Sequence, residues 1–92
     1  MIVLTDAGRK MLRTAIFARN AQHFHIDYHA TVCSSARGYF TLNTNQPEEN
    51  DVAFTDSGYT FYVDRELMMQ AEAIIIDATG DIPVISSRKA VH

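Results

Sequence analysis

The chain has 92 residues, which fits one domain spanning residues 1–92, and 47% of them are hydrophobic and 21% charged. That balance is typical of a folded globular protein and excludes a disordered chain. The net charge is −3 and the eight basic residues are spread from Arg9 to Lys89, so the clustered Lys and Arg of a nucleic-acid interface or of an anionic-membrane surface are not found.

The single cysteine, Cys33, excludes an internal disulfide. The opening residues 1–6 contain no basic segment and only a short apolar run, so they do not resemble a signal peptide. No apolar stretch approaches the ~18 residues that a membrane-spanning helix needs. We therefore expect a cytoplasmic protein that binds neither nucleic acid nor membranes.

The first elements are a short strand and an amphipathic helix. Residues 2–4 predict the strand, and Thr5 or Asp6 can cap the helix that follows, because a side-chain oxygen there accepts a free backbone N–H. Apolar residues recur on one helical face up to Ile16, which predicts a helix over residues 6–19.

A long alternating segment comes next. The apolar residues Phe24, Ile26, Tyr28, Ala30 and Val32 alternate with His23, His25, Asp27, His29 and Thr31. A period of two over ten residues predicts a strand with one face in the core and one face in solvent. A second strand is expected over residues 38–43, followed by a polar loop over residues 44–50.

The second half predicts a hairpin, a short helix and two more strands. Strands at 51–54 and 59–63 flank a four-residue connection that contains Gly58, and Asp64 can cap a helix over 65–70. A buried strand at 73–76 and a last strand at 82–85 flank a turn, and Pro83 is expected at a sheet edge or at the start of the last strand. Residues 87–92 are interpreted as a tail.

This order of elements predicts an α+β fold with mainly antiparallel or mixed β-sheets, an N-terminal helix and a second short helix. Most connections are too short for crossovers between consecutive parallel strands.

Several short segments occur in an order that is found in a known family. They are Leu4-Thr5-Asp6-Ala7-Gly8, Cys33-Ser34-Ser35, Asp51-Val52-Ala53-Phe54, Asp56-Ser57-Gly58 and Val63-Asp64-Arg65-Glu66-Leu67. In this order and spacing the chain resembles the A-type iron–sulfur cluster carriers, the HesB/IscA-like family, over nearly its whole length. The resemblance implies a HesB-like domain, a role in iron–sulfur cluster biosynthesis as a carrier and not an enzyme, a homodimer, and iron–sulfur assembly proteins as partners.

The departures from the family pattern concern the metal ligands. Family members that carry clusters use the central cysteine and a C-terminal Cys-Gly-Cys, whereas this chain ends Ser86-Ser87-Arg88-Lys89-Ala90-Val91-His92. Only Cys33 corresponds to a family ligand, so the chain resembles a degenerate branch of the family. The cofactor that this implies is iron or a [2Fe-2S] cluster with an incomplete ligand set. The alternative, of equal weight, is an interaction module that keeps the fold and binds no cofactor, with Cys33 as a small buried hydrophobic residue.

A weaker metal site is suggested by the polar residues of the alternating strand. His25, Asp27 and His29 would share one face of the strand with His23, and imidazole with carboxylate suits zinc, iron or nickel. The competing interpretation, which we favour, is an ordinary solvated face. The carboxylates Glu48, Glu49 and Asp51 are likewise interpreted as solvated loop residues.

Overall fold

The structure is a computed structural model that describes residues 1–30 and 38–91. Within these ranges it contains seven strands, two helices and a 3-10 turn at Ile16–Ala18. The elements are β1 Ile2–Leu4, α1 Asp6–Thr14, β2 His23–His29, β3 Tyr39–Asn43, β4 Asp51–Asp56, β5 Tyr59–Asp64, α2 Arg65–Ala71, β6 Ile74–Thr79 and β7 Ile82–Ser87. No helix in the described ranges is long and apolar enough to cross a membrane.

The strands form two mixed sheets. One has the order β1-β6-β7, with β1 parallel to β6, and the other has the order β3-β2-β5-β4, with β2 parallel to β5. Every other pair is antiparallel. The predicted α+β class with mixed sheets and two helices is confirmed, and the parallel pairs join strands that are distant in sequence, so no short crossover is required.

Helix α1 begins as predicted and ends earlier than predicted. The Thr5 hydroxyl accepts a hydrogen bond from the Gly8 amide at 3.0 Å, which identifies Thr5 as the cap. Ala15 then adopts an extended conformation with ψ 140°, so the predicted continuation to residue 19 is wrong and a separate 3-10 turn follows. Ile16, which the helical pattern had placed on the buried face, is 83% exposed.

Helix α1 packs very closely on β6. A Cβ atom added at Gly8 would lie 2.4 Å from the backbone oxygen of Ile76. A glycine inside a helix usually weakens it, and here the missing side chain allows the helix backbone to approach the sheet.

The antiparallel hairpins are tighter than the sequence suggests. Ser57 and Gly58 both have positive φ, 54° and 84°, and form a two-residue turn between β4 and β5, so the predicted four-residue connection is wrong. Two consecutive positive φ values match the natural twist of the paired strands, which lets pairing continue to the turn. The last strand lies at a sheet edge, as Pro83 predicts.

One cluster of buried side chains joins both sheets and both helices. Its largest fully buried members are Phe24, Phe61, Met11, Leu12, Ile26, Ile74, Ile76 and Val63. Phe24 and Ile26 of β2 lie in this core, as the alternation predicts, but the strand ends at His29 and Ala30 is exposed. The predicted tail over residues 87–92 is bonded to the rest of the protein. The backbone amides of Arg88 and Lys89 donate hydrogen bonds to the backbone oxygens of Ala73 and Ala71 at 2.8 and 3.0 Å.

Candidate functional site

Cys33 belongs to the segment 31–37, which links β2 to β3 and lies outside the described residues. The prediction that it is a metal ligand therefore stays a prediction. The β2–β3 ladder closes at the pair His29 and Tyr39, next to this segment. Gly38 packs directly on Tyr28, since an added Cβ would lie 2.2 Å from the Tyr28 hydroxyl.

A cleft of about 580 Å³ opens beside the end of this segment. It lies between the β2–β3 pair and the C-terminal stretch, and its lining includes Tyr28, Gly38, Phe40, Arg88 and Val91. Aromatic rings form one wall, and Arg88 contributes a cationic side chain. A cleft of this size is within the range of small-ligand sites in proteins.

The same end of the molecule contains a surface ion pair. Lys89 Nζ lies 2.8 Å from Glu72 Oε1, and this hydrogen bond, with the positive charges of Lys89 and Arg88, lowers the pKa of Glu72. The contact adds a side-chain link to the backbone bonds that hold the C-terminal stretch against the end of α2.

On the polar face of the four-stranded sheet, two side chains, His25 and Asp51, are buried. In register, His25 of β2 lies beside Tyr62 of β5, which lies beside Ala53 of β4. The side-chain period of two then places Asp27 and Asp51 on the same face as His25. His25 is only 5% exposed and the Asp51 side chain only 4%, so the interpretation of both as solvated residues is wrong.

His25 is held between two carboxylates. Its Nε2 lies 2.6 Å from Asp51 Oδ2, and the same oxygen accepts the Glu48 amide at 2.7 Å. On the other side, Nδ1 lies 3.0 Å from Asp27 Oδ1, which is ion-pair distance, although the direction of approach does not make a hydrogen bond. The other oxygen of Asp27 accepts a hydrogen bond from the side-chain amide of Asn43.

This arrangement explains the burial of polar groups on the sheet. A buried charged or polar side chain is costly unless it has partners, and each member of this group has one. The bond between His25 and Asp51 joins β2 to the start of β4 across the intervening β5. We refer to His25, Asp27, Asn43 and Asp51 as the histidine clamp.

The remaining histidines of the predicted row do not join the clamp. His29 is exposed, its Nε2 lies 2.9 Å from the Thr41 hydroxyl, and its ring stacks on Tyr39 with centroids 5.0 Å apart. His23 packs edge-on against Tyr62, and its Nε2 is buried with no hydrogen-bond partner among the described residues. The structure thus brings His25 and Asp27 together and leaves His29 apart.

Residues 1–30 and 38–91 contain no group of three or more His, Cys, Asp or Glu side chains arranged to hold a metal ion. Both His25 nitrogens face carboxylates of the protein itself, so the clamp has the features of a structural link. Sequence reasoning missed the partner roles of Asp51 and Asn43. The only signal was an aspartate at the first position of a predicted strand, and nothing local connects that position to His25.

A second polar link joins Thr5, which lies between β1 and α1, to β6. The Thr5 hydroxyl lies 2.7 Å from Asp77 Oδ1, and the Ala78 amide donates to the same oxygen at 2.9 Å. These two hydrogen bonds, from Thr5 first and Ala78 second, lower the pKa of Asp77. Thr5 therefore both caps α1 and fixes that helix to the three-stranded sheet.

Comparisons with known proteins bear on the fold. No family model and no curated protein matches the sequence. Solved structures of IscA and SufA are similar to the chain. IscA, crystallised with a [2Fe-2S] cluster, has a TM-score of 0.69 and 18% identity, with 96% of this chain and 86% of IscA covered. SufA of Escherichia coli, involved in biosynthesis of iron–sulfur clusters, has a TM-score of 0.61 and 16% identity, with 92% of this chain and 76% of SufA covered. The predicted HesB/IscA-like fold is confirmed.

Proposed function

We propose, from the fold that this chain shares with IscA and SufA, that it serves iron–sulfur cluster biosynthesis in the cytoplasm and is a carrier, not an enzyme. Its cargo would be iron or a [2Fe-2S] cluster, held transiently through Cys33 of two chains in a homodimer, with iron–sulfur assembly proteins as partners. The observation that carries the proposal is the match to IscA over 96% of the chain, since that protein was crystallised with a [2Fe-2S] cluster.

The number of available ligands limits how the cargo can be held. Clusters are usually bound by four protein ligands, most of them thiolates, and the sequence has one cysteine. A symmetric dimer supplies two thiolates. The other ligands must then be His, Asp or Glu side chains or a small thiol from solution, and within the described ranges no ready group of three such side chains exists. We therefore expect weak, transient binding.

The surroundings of the Cys33 segment are compatible with this role. Gly38, the residue that follows this segment, lines the cleft of about 580 Å³ together with Arg88. The cleft is also large enough for a small thiol as an additional ligand.

Anaerobic reconstitution tests the proposal directly. The wild-type protein is incubated with ferrous iron, sulfide and a small thiol, desalted, and its visible absorbance and bound iron and sulfide are measured. We expect a coloured species that Cys33→Ala abolishes and Cys33→Ser strongly reduces. Ser34→Ala serves as the matched control and keeps the colour. A colourless wild-type protein under these conditions would refute cluster carriage through Cys33.

The dimer is tested in the same samples. Light scattering before and after reconstitution gives the mass of the apo and loaded forms, and a loaded species of one-chain mass contradicts bridging by two Cys33 thiolates.

The second candidate function is an interaction module without a metal. It is favoured by the lack of a complete donor set in the described ranges and by the large apolar side chains that are exposed there, including Ile16, Met69 and Ile82. Thiol titration of the folded protein separates the two functions, because an inert, buried Cys33 favours the module and a reactive Cys33 favours the carrier.

Metal binding by His25, Asp27 and His29 stays a prediction of lower rank. Calorimetry with zinc or nickel tests it, and an absence of stoichiometric heat that depends on His25 rejects it. The structure weighs against this site, because His25 Nε2 is already bonded to Asp51 and His29 lies apart from His25 and Asp27, next to Thr41.

A further inference from the structure

Although the basic residues extend along the chain from Arg9 to Lys89, half of them lie within its first 19 residues, where acidic residues are few. Residues 1–19 contain four of the eight basic residues and one of the eleven acidic residues, Asp6. The remaining residues therefore carry ten acidic and four basic side chains. The local excess of positive charge is in α1 and in the 3-10 turn that follows it.

Three of these four cations are free. Lys10, Arg13 and Arg19 are exposed, and none of them makes an ion pair with another described residue. Arg9 differs, since it donates to the backbone oxygen of Leu4 and pairs with Asp6. An arginine that is not tied to its own fold is available to a partner.

Exposed apolar side chains lie between these cations along the chain. Ile16 is 83% exposed and Phe17 is 40% exposed, both in the 3-10 turn between Arg13 and Arg19. The Arg19 amide donates to the Ile16 oxygen at 3.2 Å, so Arg19 follows Ile16 by one turn. We call Lys10, Arg13, Ile16, Phe17 and Arg19 the α1 surface.

The α1 surface adjoins a depression of about 480 Å³. Leu12, Arg13, Ala18 and Asn20 form one side of this depression, and the turn Ser57–Gly58 forms the other. A concave surface with a cation in its wall can receive a side chain of a partner.

Two acidic side chains limit the extent of the positive surface. Thr14 donates to Asp81 at 3.1 Å on the side of the β6–β7 turn. Ser57 donates to Asp56 at 2.8 Å on the side of the β4–β5 turn. The positive region therefore has an acidic side chain on each of these two sides.

We propose that the α1 surface docks an acidic protein segment that also carries apolar side chains. Its carboxylates would pair with Lys10, Arg13 and Arg19, and its apolar side chains would cover Ile16 and Phe17. Arginine and aromatic residues together are typical of protein–protein interfaces. The net charge of −3 and the small number of cations disfavour nucleic acid and anionic membranes, whose binding needs more extensive positive surfaces.

A peptide titration tests the docking surface without any metal, so its failure does not bear on cluster carriage. The probe is a fluorescein-labelled peptide of four Glu-Glu-Leu-Phe repeats, and the control probe has every Glu replaced by Gln. Fluorescence anisotropy of the metal-free protein should show binding of the acidic probe that weakens with added salt. The neutral probe should bind at least fivefold more weakly.

Matched variants locate the binding. Arg13→Glu should weaken the acidic probe at least fivefold, whereas Arg65→Glu, the same change at an exposed cation of α2, should stay within twofold. Ile16→Ser should weaken binding, whereas Met69→Ser should not, although Met69 is 72% exposed. All four positions are exposed, and circular dichroism confirms that each variant is folded.

Four results would overturn the proposal. The first two are no measurable binding of the acidic probe and equally tight binding of the neutral probe. The other two are an equal loss of affinity for the acidic probe in Arg13→Glu and Arg65→Glu, and an affinity of Ile16→Ser equal to that of wild type. Vesicles of phosphatidylglycerol and phosphatidylcholine and a short DNA duplex are titrated in parallel. Tighter binding of either, with the same loss in Arg13→Glu, would also overturn it by identifying a different class of partner.

Discussion

Replacing Asp51 should reveal how much the histidine clamp stabilises the fold. The Asp51 side chain is 4% exposed, and its Oδ2 is bonded both to His25 Nε2 at 2.6 Å and to the Glu48 amide at 2.7 Å. Asp51→Asn keeps the shape and one acceptor but removes the charge. A hydrogen bond to a charged group contributes about 1.5–3 kcal/mol, so we expect the free energy of unfolding to fall by about 2 kcal/mol.

Asp51→Ala removes every acceptor and leaves both His25 and the Glu48 amide without their partner. Breaking a buried pair in this way costs about 3–5 kcal/mol. For a protein of this size, each 1 kcal/mol lowers the Tm by about 4–8 °C, so the two variants should be well separated.

Urea unfolding followed by circular dichroism is the suitable assay, because urea adds no salt that would screen the pair. Asp56→Asn is the matched control. It makes the same chemical change at the other end of β4, where the Ser57 hydroxyl is the one side-chain partner among the described residues, and should cost no more than about 0.5 kcal/mol.

A double-mutant cycle with His25→Gln isolates the link between the two residues. We expect a coupling energy of at least about 1 kcal/mol for residues in one buried network. If Asp51→Asn costs no more than Asp56→Asn, or if the cycle gives additive effects, the clamp does not stabilise the fold and the reasoning from burial is wrong.

Two further stability predictions follow from the contacts of α1. The hydrogen bond from Thr5 lowers the pKa of Asp77, so the ionised Asp77 stabilises the fold fully above the ordinary aspartate pKa of about 4. This stabilisation is lost as the pH falls through the lower pKa of the folded protein, so the difference in unfolding free energy between wild type and Asp77→Asn should vanish over that acidic range. A difference that stays constant with pH would contradict this. Gly8→Ala should lower the free energy of unfolding by about 1–3 kcal/mol, because the alanine Cβ would lie 2.4 Å from the backbone oxygen of Ile76, and this clash outweighs the better helix propensity of alanine. A variant that is more stable than wild type in thermal unfolding would contradict this and show that the helix can move away from the sheet.

Much of the local structure could be predicted because it depends on residues that are close in sequence. A cap such as Thr5 or Asp64 bonds to amides two or three positions later, so the cap and the start of the helix are visible in one short segment. The alternation of β2 predicts a strand with Phe24 and Ile26 in the core, and both are buried. Hairpin turns with Gly58 and Gly80 are recognisable for the same reason, although their lengths depend on how far pairing extends.

The resemblance to the carrier family also came from the sequence, and the shared fold supports it. The role of Cys33 does not follow from the fold, since this one cysteine of the sequence lies outside the described residues. The reconstitution experiment is therefore needed to identify the cargo.

The sequence by itself determined the order of strands and helices, the cap Asp64 and the buried positions Phe24 and Ile26 of β2. Only the tertiary structure decided which polar residues are buried. A row of polar side chains at every second position looks the same whether it faces water or other parts of the protein. His25 is buried because the parallel pairing of β2 with β5 brings β4 within reach, and Asp51, 26 residues later, then supplies the carboxylate that makes this burial favourable.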